Sequence, residues 1–304
     1  MKFKPMAFAD FPQYKKYFRD QKYDLCSYSL ASIMAWQTEA FVPLAAIVDD
    51  ALIVGCEFKK EKQNRHLLLP ISPNGNDTPE YLHSLVRRSG FNAVWNVPVE
   101  YIDRFGREKI ERWFRIENHG AFDDYVYLKD DLAFLKGNRY SKKRNLIRQF
   151  QREYESRGRV IVEPMTPASA GECLDFLETW CSERKCDADV ESDLACEKTA
   201  AINTINNLER FEVNGLQLRI DGKINAFGIS AHLNEEMATL QYEKAFSSVK
   251  GLYQYFDSMC AKLLFTDYRY INKENDMGLP GLSKAKKSYH PVRMVKSYKL
   301  ILKT

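Results

Sequence analysis

The stretch Phe211–Leu264, FEVNGLQLRIDGKINAFGISAHLNEEMATLQYEKAFSSVKGLYQYFDSMCAKLL, decides the fold. Leu216, Leu218 and Ile220 alternate with polar residues, the period of a half-buried strand. Asp221-Gly222 is a two-residue hairpin signal. Ile224 to His232 reads as a second strand, Asn234-Glu235-Glu236 as a turn, and Met237 to Phe246 as a third strand. Ser247-Ser248 reads as an N-cap. Leu252, Tyr255, Phe256, Met259, Cys260, Leu263 and Leu264 then share one helical face. Tyr268 to Ile271 is a short fourth strand, and a strand–helix–strand step leaves its two strands parallel near neighbours.

The first half repeats this order. Phe41–Val48 and Ala51–Phe58 flank Asp49-Asp50, and His66–Ile71 is a third strand. Thr78-Pro79 opens a helix to about Ser89, and Ala93–Val97 follows as a strand. Asp49 to Asp221, Tyr81 to Tyr255 and Asn96 to Asn272 are offset by 172, 174 and 176 positions. Each half begins with two helical stretches, about 10–19 and 28–38, then 167–184 and 191–209. Cys173, Phe176, Leu177, Trp180 and Cys181 form one apolar stripe. The reading is one α+β unit built twice, over 1–157 and 158–304. The first unit ends in a basic helix at about Tyr140–Arg157, stopped by Gly158, with Tyr140, Ile147, Phe150 and Tyr154 as its apolar face.

Composition excludes several classes. The chain has 304 residues, 45% hydrophobic and 28% charged, with 18 Phe, 17 Tyr and 4 Trp, which suits a packed core and not a disordered chain. The apolar stretches Phe41–Val48 and Ala51–Gly55 are split by Asp49 and Asp50, far short of the roughly 20 residues a membrane span needs. The start Met1-Lys2-Phe3-Lys4-Pro5 is no signal peptide. Seven scattered cysteines read as reduced thiols, so a cytoplasmic protein is expected. Cys181, Cys186 and Cys196 lack Cys-x-x-Cys spacing and a histidine partner, so no metal is expected. Net charge is +4, but Asn138–Arg159 carries +6 and Gly281–Thr304 carries +7, leaving −9 elsewhere. Two basic segments on an acidic remainder point to an anionic ligand or to solvated faces.

The meander–helix–strand unit resembles the core of the Gcn5-related N-acetyltransferase (GNAT) fold. The fold class expected is therefore α+β: two tandem GNAT-like units with mixed, mostly antiparallel sheets flanked by helices. A wider resemblance rests on five blocks: Gln241-Tyr242-Glu243-Lys244-Ala245, Lys250-Gly251-Leu252-Tyr253-Gln254, Ile271 through Gly278 (INKENDMG), Gly281 through Lys286 (GLSKAK), and Ser288-Tyr289-His290-Pro291. Asp131-Leu132 through Gly137 and Tyr140 through Asn145 fit as well. These resemble the phosphatidylglycerol lysyltransferase C-terminal domain-like family over about residues 10–303. Ser283 stands where that family usually shows arginine, and the membrane-embedded half of its lipid enzymes has no counterpart here. The resemblance implies tandem GNAT-like units related to Fem-type aminoacyltransferases. It also implies an acyl or aminoacyl group moved from aminoacyl-tRNA or acyl-CoA to an amine or hydroxyl.

In GNAT folds the donor lies where the strands on either side of the helix splay apart. Amides at the helix start take the donor's phosphates, since free N–H groups and the helix dipole favour anions there. Here that spot is Val249, Lys250, Gly251 and Leu252. The first copy has Pro73-Asn74-Gly75-Asn76-Asp77 and no cation, so the second copy is the catalytic candidate and the first is structural. Strand alternation puts Gln241 and Glu243 on one side and Tyr242 and Lys244 on the other. Glu243 either accepts a proton from an attacking amine or sits in an ion pair. Asn272, Glu274 and Asp276 alternate beyond the helix and either line the cleft or end a strand, with Glu274 the catalytic candidate. Tyr289 is either the acid for a leaving group or a core aromatic. Lys143, Arg144 and Arg148 with Lys284 and Lys286 are the candidate polyanion surface, for tRNA or an acidic lipid surface. No tightly bound cofactor is expected. The competing reading is a tRNA- or polyanion-binding protein without catalysis on the same scaffold.

Overall fold

The computed structural model describes residues 1–72, 76–184 and 193–303, with the backbone alone at 193–196. Two seven-stranded sheets carry the described residues. The first runs β1 (Lys4–Pro5), β2 (Phe41–Val48), β3 (Ala51–Phe58), β4 (His66–Leu67), β5 (Ala93–Pro98), β14 (Ser297–Leu302), β6 (Phe114–Asn118). The second runs β13 (Arg293–Val295), β7 (Asp124–Leu128), β12 (Tyr270–Asn272), β11 (Met237–Ala245), β10 (Lys223–Asn234), β9 (Asn214–Ile220), β8 (Val160–Pro164). The flanking helices are α1 (Phe11–Lys15), α2 (Leu30–Ala35), α3 (Pro79–Ser89), α4 (Val99–Phe105), α5 (Arg107–Glu111), α6 (Lys129–Phe134), α7 (Ser141–Glu153), α8 (Ala170–Arg184), α9 (Asp193–Ile205), α10 (Leu252–Leu263) and α11 (Pro280–Lys287).

The repeated unit is present in both sheets. In the first, β2, β3 and β4 form an antiparallel meander, α3 follows, and β5 lies parallel to β4. In the second, β9, β10 and β11 form the meander, α10 follows, and β12 lies parallel to β11. Both hairpins turn through paired positive φ angles, Asp49 (50°) with Asp50 (59°) and Asp221 (51°) with Gly222 (80°). That handedness matches the twist of the strands they join. Thr78 Oγ1 accepts the Tyr81 N–H at 3.3 Å to cap α3, and Gly90 ends it at φ 76°.

Three expectations are corrected. Ser247 and Ser248 do not cap α10. The chain turns through Val249 and enters the helix at Gly251, whose φ of 82° needs no side-chain cap. The third strand of the first unit covers only His66–Leu67, with an isolated bridge from Leu52 to Ile71. The sheets also do not divide at 157/158. β7 joins the second sheet between β12 and β13, and the C-terminal β14 inserts between β5 and β6 of the first. Alternation in a sequence sets which face a strand buries, not which strand it pairs with.

The two units share a buried apolar cluster that runs from Met6 and Tyr28 to Phe227 and Tyr242. Polar contacts join them too. Gln21 Nε2 donates to Leu233 O (3.0 Å), Ser29 Oγ to His232 O (3.0 Å), and Asn203 Nδ2 to Ala35 O and Gln37 O (2.9 Å each). The basic helix forms as α7, followed by a turn of 3-10 helix and Gly158 at φ 70°. Its Phe150 is fully buried against Tyr255, with ring centroids 4.7 Å apart. No described helix is long and apolar enough to cross a membrane.

Leu300 in β14 is fully buried and pairs with Val94 on one side and Ile116 on the other. Leu300→Ala is expected to lower the unfolding free energy by about 3 kcal/mol, read from urea denaturation. A change under about 1 kcal/mol would show that the inserted strand is peripheral.

Candidate active site

β11 and β12 pair over three positions, ending at Thr239 opposite Asn272, and then part. The Lys273 side chain enters the gap on the α10 face. Its Nζ donates to Glu243 Oε2 on β11 and Asp257 Oδ1 on α10, both at 2.8 Å. The Tyr289 ring lies 5.2 Å from that ammonium and 3.3 Å from Lys143 Nζ. Burial works against the Lys273 charge, but Asp257 and Glu243 outweigh it and hold its pKa well above the usual lysine value. Burial, then Asp257, pushes Glu243 up to about 7 against the pull of Lys273. Burial, with Lys273 adding, lowers Lys143 to about 8. Burial, with Asp257 adding, raises the Tyr289 hydroxyl well above its ordinary value. Glu243 is thus in an ion pair, and Tyr289 covers the pair with its ring.

The other face of the splay is built differently, because of a β-bulge. Ile229 pairs with Tyr242 and Ser230 with Leu240, so Gln241 has no partner on β10. The extra residue breaks the two-residue period. Gln241 therefore does not share a face with Glu243, as strict alternation predicts. Its Nε2 donates to Ser32 Oγ of α2 at 2.6 Å, and its buried Oε1 has no hydrogen-bond partner. Lys244, on the same face, pairs with Glu197 at 2.7 Å and lies 4.4 Å from the Trp180 ring.

Between the units, the loop after β12 is held at almost every polar side chain. Asn272 Nδ2 donates to Asp124 Oδ2 and Asp24 O (2.8 Å each), and its Oδ1 takes the Glu274 N–H at 2.6 Å. Asn275 Oδ1 takes the Met277 N–H at 3.2 Å. Asp276 takes the Tyr125 hydroxyl at 2.6 Å and the Gly278 N–H at 3.0 Å. Ser283, in the position of the family arginine, donates to the Tyr125 hydroxyl at 3.0 Å. Among the described residues, the Glu274 carboxyl accepts no hydrogen bond. Its backbone is left-handed, φ 58°, uncommon for a residue with a Cβ. Burial pushes its pKa up to about 8; Lys286 opposes this, Asp124 and Glu197 add to it, and Lys244 pulls back. Asp124 is itself fully buried and takes the Cys26 N–H at 2.5 Å. A carboxyl that stays largely neutral at pH 7 and ionises just above it is suited to accepting and returning a proton.

Gly251 and Leu252 are buried, Val249 is half-buried and Lys250 is exposed. A Cβ on Gly251 would lie 2.2 Å from the Leu146 carbonyl oxygen, so the backbone that approaches this glycine is that of α7. Three of the five cations turn inward. Lys143 donates to Ser288 Oγ at 2.9 Å, because the start of α7 packs on the Ser288–His290 turn, where the Tyr140 hydroxyl donates to Tyr289 O at 3.0 Å. Arg144 donates to Leu135 O (2.5 Å) and Gly137 O (2.6 Å), satisfying the carbonyls at the end of α6. Lys286 binds three loop carbonyls. Only Arg148 and Lys284 of that set are exposed, so the five do not make one track. Catalytic candidates Glu243 and Tyr289 lie together on the α10 face, and Glu274 on the other.

In the first unit the corresponding splay is stitched shut. The Tyr28 hydroxyl takes the Leu69 N–H at 3.2 Å and donates to Asn96 O at 3.1 Å. Pro73, Asn74 and Gly75 lie outside the described residues, as do Cys186 and the side chain of Cys196. Sequence reasoning missed Lys273 and Asp257. Asp257 could have been found: it falls on the helical line of Tyr253, Cys260 and Leu264, where a buried carboxylate requires a cation.

The family model described as phosphatidylglycerol lysyltransferase, C-terminal, matches residues 21–301, and the chain belongs to that family. A conserved protein of unknown function from Bacteroides thetaiotaomicron has a similar crystal structure, with a TM-score of 0.88 and 28% identity over 100% of both chains. The C-terminal domain of a protein named as a lysylphosphatidylglycerol synthetase from Agrobacterium fabrum aligns with a TM-score of 0.63 and 13% identity, over 97% of this chain and 92% of that one. An uncharacterised protein of Mycoplasmoides gallisepticum is 24% identical over 180 residues, 59% of this chain and 56% of that relative. The fold is the two-unit GNAT-like α+β fold.

The raised Glu274 pKa has a consequence for stability. A carboxyl raised in the folded state contributes fully below its unfolded pKa, 4.5, and loses that contribution as pH climbs towards about 8. Glu274→Gln should therefore melt with the wild type at pH 4.5 and above it at pH 8.5, by on the order of 5 °C. Equal melting temperatures at pH 8.5 would show that the carboxyl ionises freely.

Proposed function

We propose that the chain transfers an aminoacyl group from an ester-linked donor to an amine or hydroxyl acceptor, at the inter-unit face of the β11–β12 splay, without using acyl-CoA. Family and fold point to an acyl or aminoacyl transferase of the GNAT-like kind. The observation that carries the choice of donor is the covered start of α10. Gly251 meets the Leu146 carbonyl, and the α7 backbone occupies the place where a coenzyme A diphosphate would need free amides.

In this reading the acceptor's nitrogen or oxygen attacks the ester carbonyl carbon and a new C–N or C–O bond forms. The ester C–O bond breaks, and Glu274, in its ionised form, takes the acceptor's proton and returns it to the departing hydroxyl oxygen. The exposed Lys284 on α11, the helix that also carries Lys286, is available to a phosphate of a tRNA donor. Tyr289 has no part in the step, since it sits with Lys143 and Lys273 on the opposite face.

The test is a donor screen of acyl-CoAs and charged tRNAs against amine and hydroxyl acceptors with mass readout. Transfer from charged tRNA alone is expected, with a rate that rises through about pH 8 as Glu274 ionises, and coenzyme A should not shift the melting temperature. Transfer from any acyl-CoA, or a melting shift with coenzyme A, overturns the reading.

A further inference from the structure

Lys286 was expected on a polyanion-binding surface, and it lies instead inside the site. Its ammonium has three N–H donors. Three consecutive carbonyls of the loop face it: Lys273 O at 2.5 Å, Glu274 O at 3.3 Å and Asn275 O at 2.5 Å. Consecutive carbonyls of an extended strand point alternately to opposite sides. They converge on one cation here because the chain curls at the left-handed Glu274. Such a conformation is strained for a residue with a Cβ and persists where the surroundings over-determine it. The lysine, Asn272 Oδ1 on the Glu274 N–H, and the Tyr125 N–H on the Glu274 carbonyl at 3.2 Å are those surroundings.

We infer that Lys286 is a positioning residue for Glu274, curling the 273–275 backbone around its ammonium so that the Glu274 carboxyl is presented between the units. The inference rests on the reading of Glu274 as proton acceptor. The charged and titratable groups that face Glu274 are Lys286 from α11, Asp124 from β7, Glu197 from α9, Lys244 and the Tyr242 phenol from β11, and the Cys26 thiol. Lys286 favours the ionised form, so removing its charge moves Glu274 towards the neutral acid.

The test uses the full chain labelled with 13C at glutamate carboxyls, with the Glu274 signal assigned by its loss in Glu274→Gln. Lys286→Gln keeps an N–H donor and removes the charge; Lys286→Arg keeps the charge. In Lys286→Gln the titration midpoint of Glu274 should rise by about one unit or more, while Lys286→Arg stays near the wild type. Hydrogen exchange at the Glu274 and Tyr125 amides should quicken about tenfold or more in Lys286→Gln. A midpoint or an exchange rate that does not move overturns the inference. Failure of both variants to fold also overturns it, since the lysine would then serve only the fold. Should the midpoint and exchange move as expected while the wild type transfers from no donor, the proton-acceptor reading fails and the positioning role stands.

Discussion

Two strands that stop pairing leave a gap which a protein interior must fill, and here a single ammonium fills it. Glu243 and Asp257 come from a strand and a helix and are both buried at the gap. Two carboxylates cannot be ionised side by side out of water, and Lys273 is the cation that allows them to be there. Losing one partner of such a set costs about 3–5 kcal/mol, because a buried charge is left uncompensated. The ammonium therefore fixes β12 against both β11 and α10. The residue after it inherits that constraint. Glu274 leaves the strand in a left-handed conformation and crosses to the other face of the splay, so the stabilising ion cluster and the presented carboxyl are adjacent links of one chain.

The exchange of strands between the sheets fixes the other face of the splay in turn. β7 begins at Asp124, whose carboxylate takes the Cys26 N–H from the N-terminal segment and Asn272 Nδ2 from β12. β14 returns the C-terminus to the centre of the first sheet. Each unit thus holds a strand remote in sequence from its core, and the units cannot part without breaking sheet pairing. Pairing of this kind keeps Glu274, Glu197, Lys244 and Gln241 in one arrangement between the units.

Much of the fold was legible because it rests on short-range signals. The period of Leu216, Leu218 and Ile220, the Asp221-Gly222 turn and the apolar face of α10 each name their own structure, and the repeat shows in their order. Strand partners were not legible, since nothing in Tyr125–Val126–Tyr127 or Tyr298–Leu300 names the strand it pairs with. At the site, Glu274 and Glu243 are legible as polar residues near strand ends, but not which face of the splay each reaches. The bulge at Gln241 was hidden because a bulge is defined by two strands together. The basic residues misled for a related reason. Charge counts say how many cations a segment has, while Arg144 and Lys286 are spent on backbone carbonyls that only the folded chain brings to them.

The two copies show why only one splay keeps polar groups. At the offset that relates Asn96 to Asn272, the first copy has Val97 and Pro98 where the second has Lys273 and Glu274. The residues that continue from β4 in the first copy are Leu68, Leu69, Pro70 and Ile71, all apolar, and the neutral Tyr28 hydroxyl is enough to join the parting strands. Beside it the buried Asp77 carboxylate is already paired with Arg104 and takes the Tyr23 hydroxyl, so it draws no lysine from the strand. In the second copy Glu243 and Asp257 demand a cation from the loop, and the lysine that answers brings Glu274 behind it. Proline in the matching place of the first copy cannot adopt that left-handed turn, because its ring fixes φ near −65°. The difference between the two splays therefore starts at two adjacent positions at the end of one short strand.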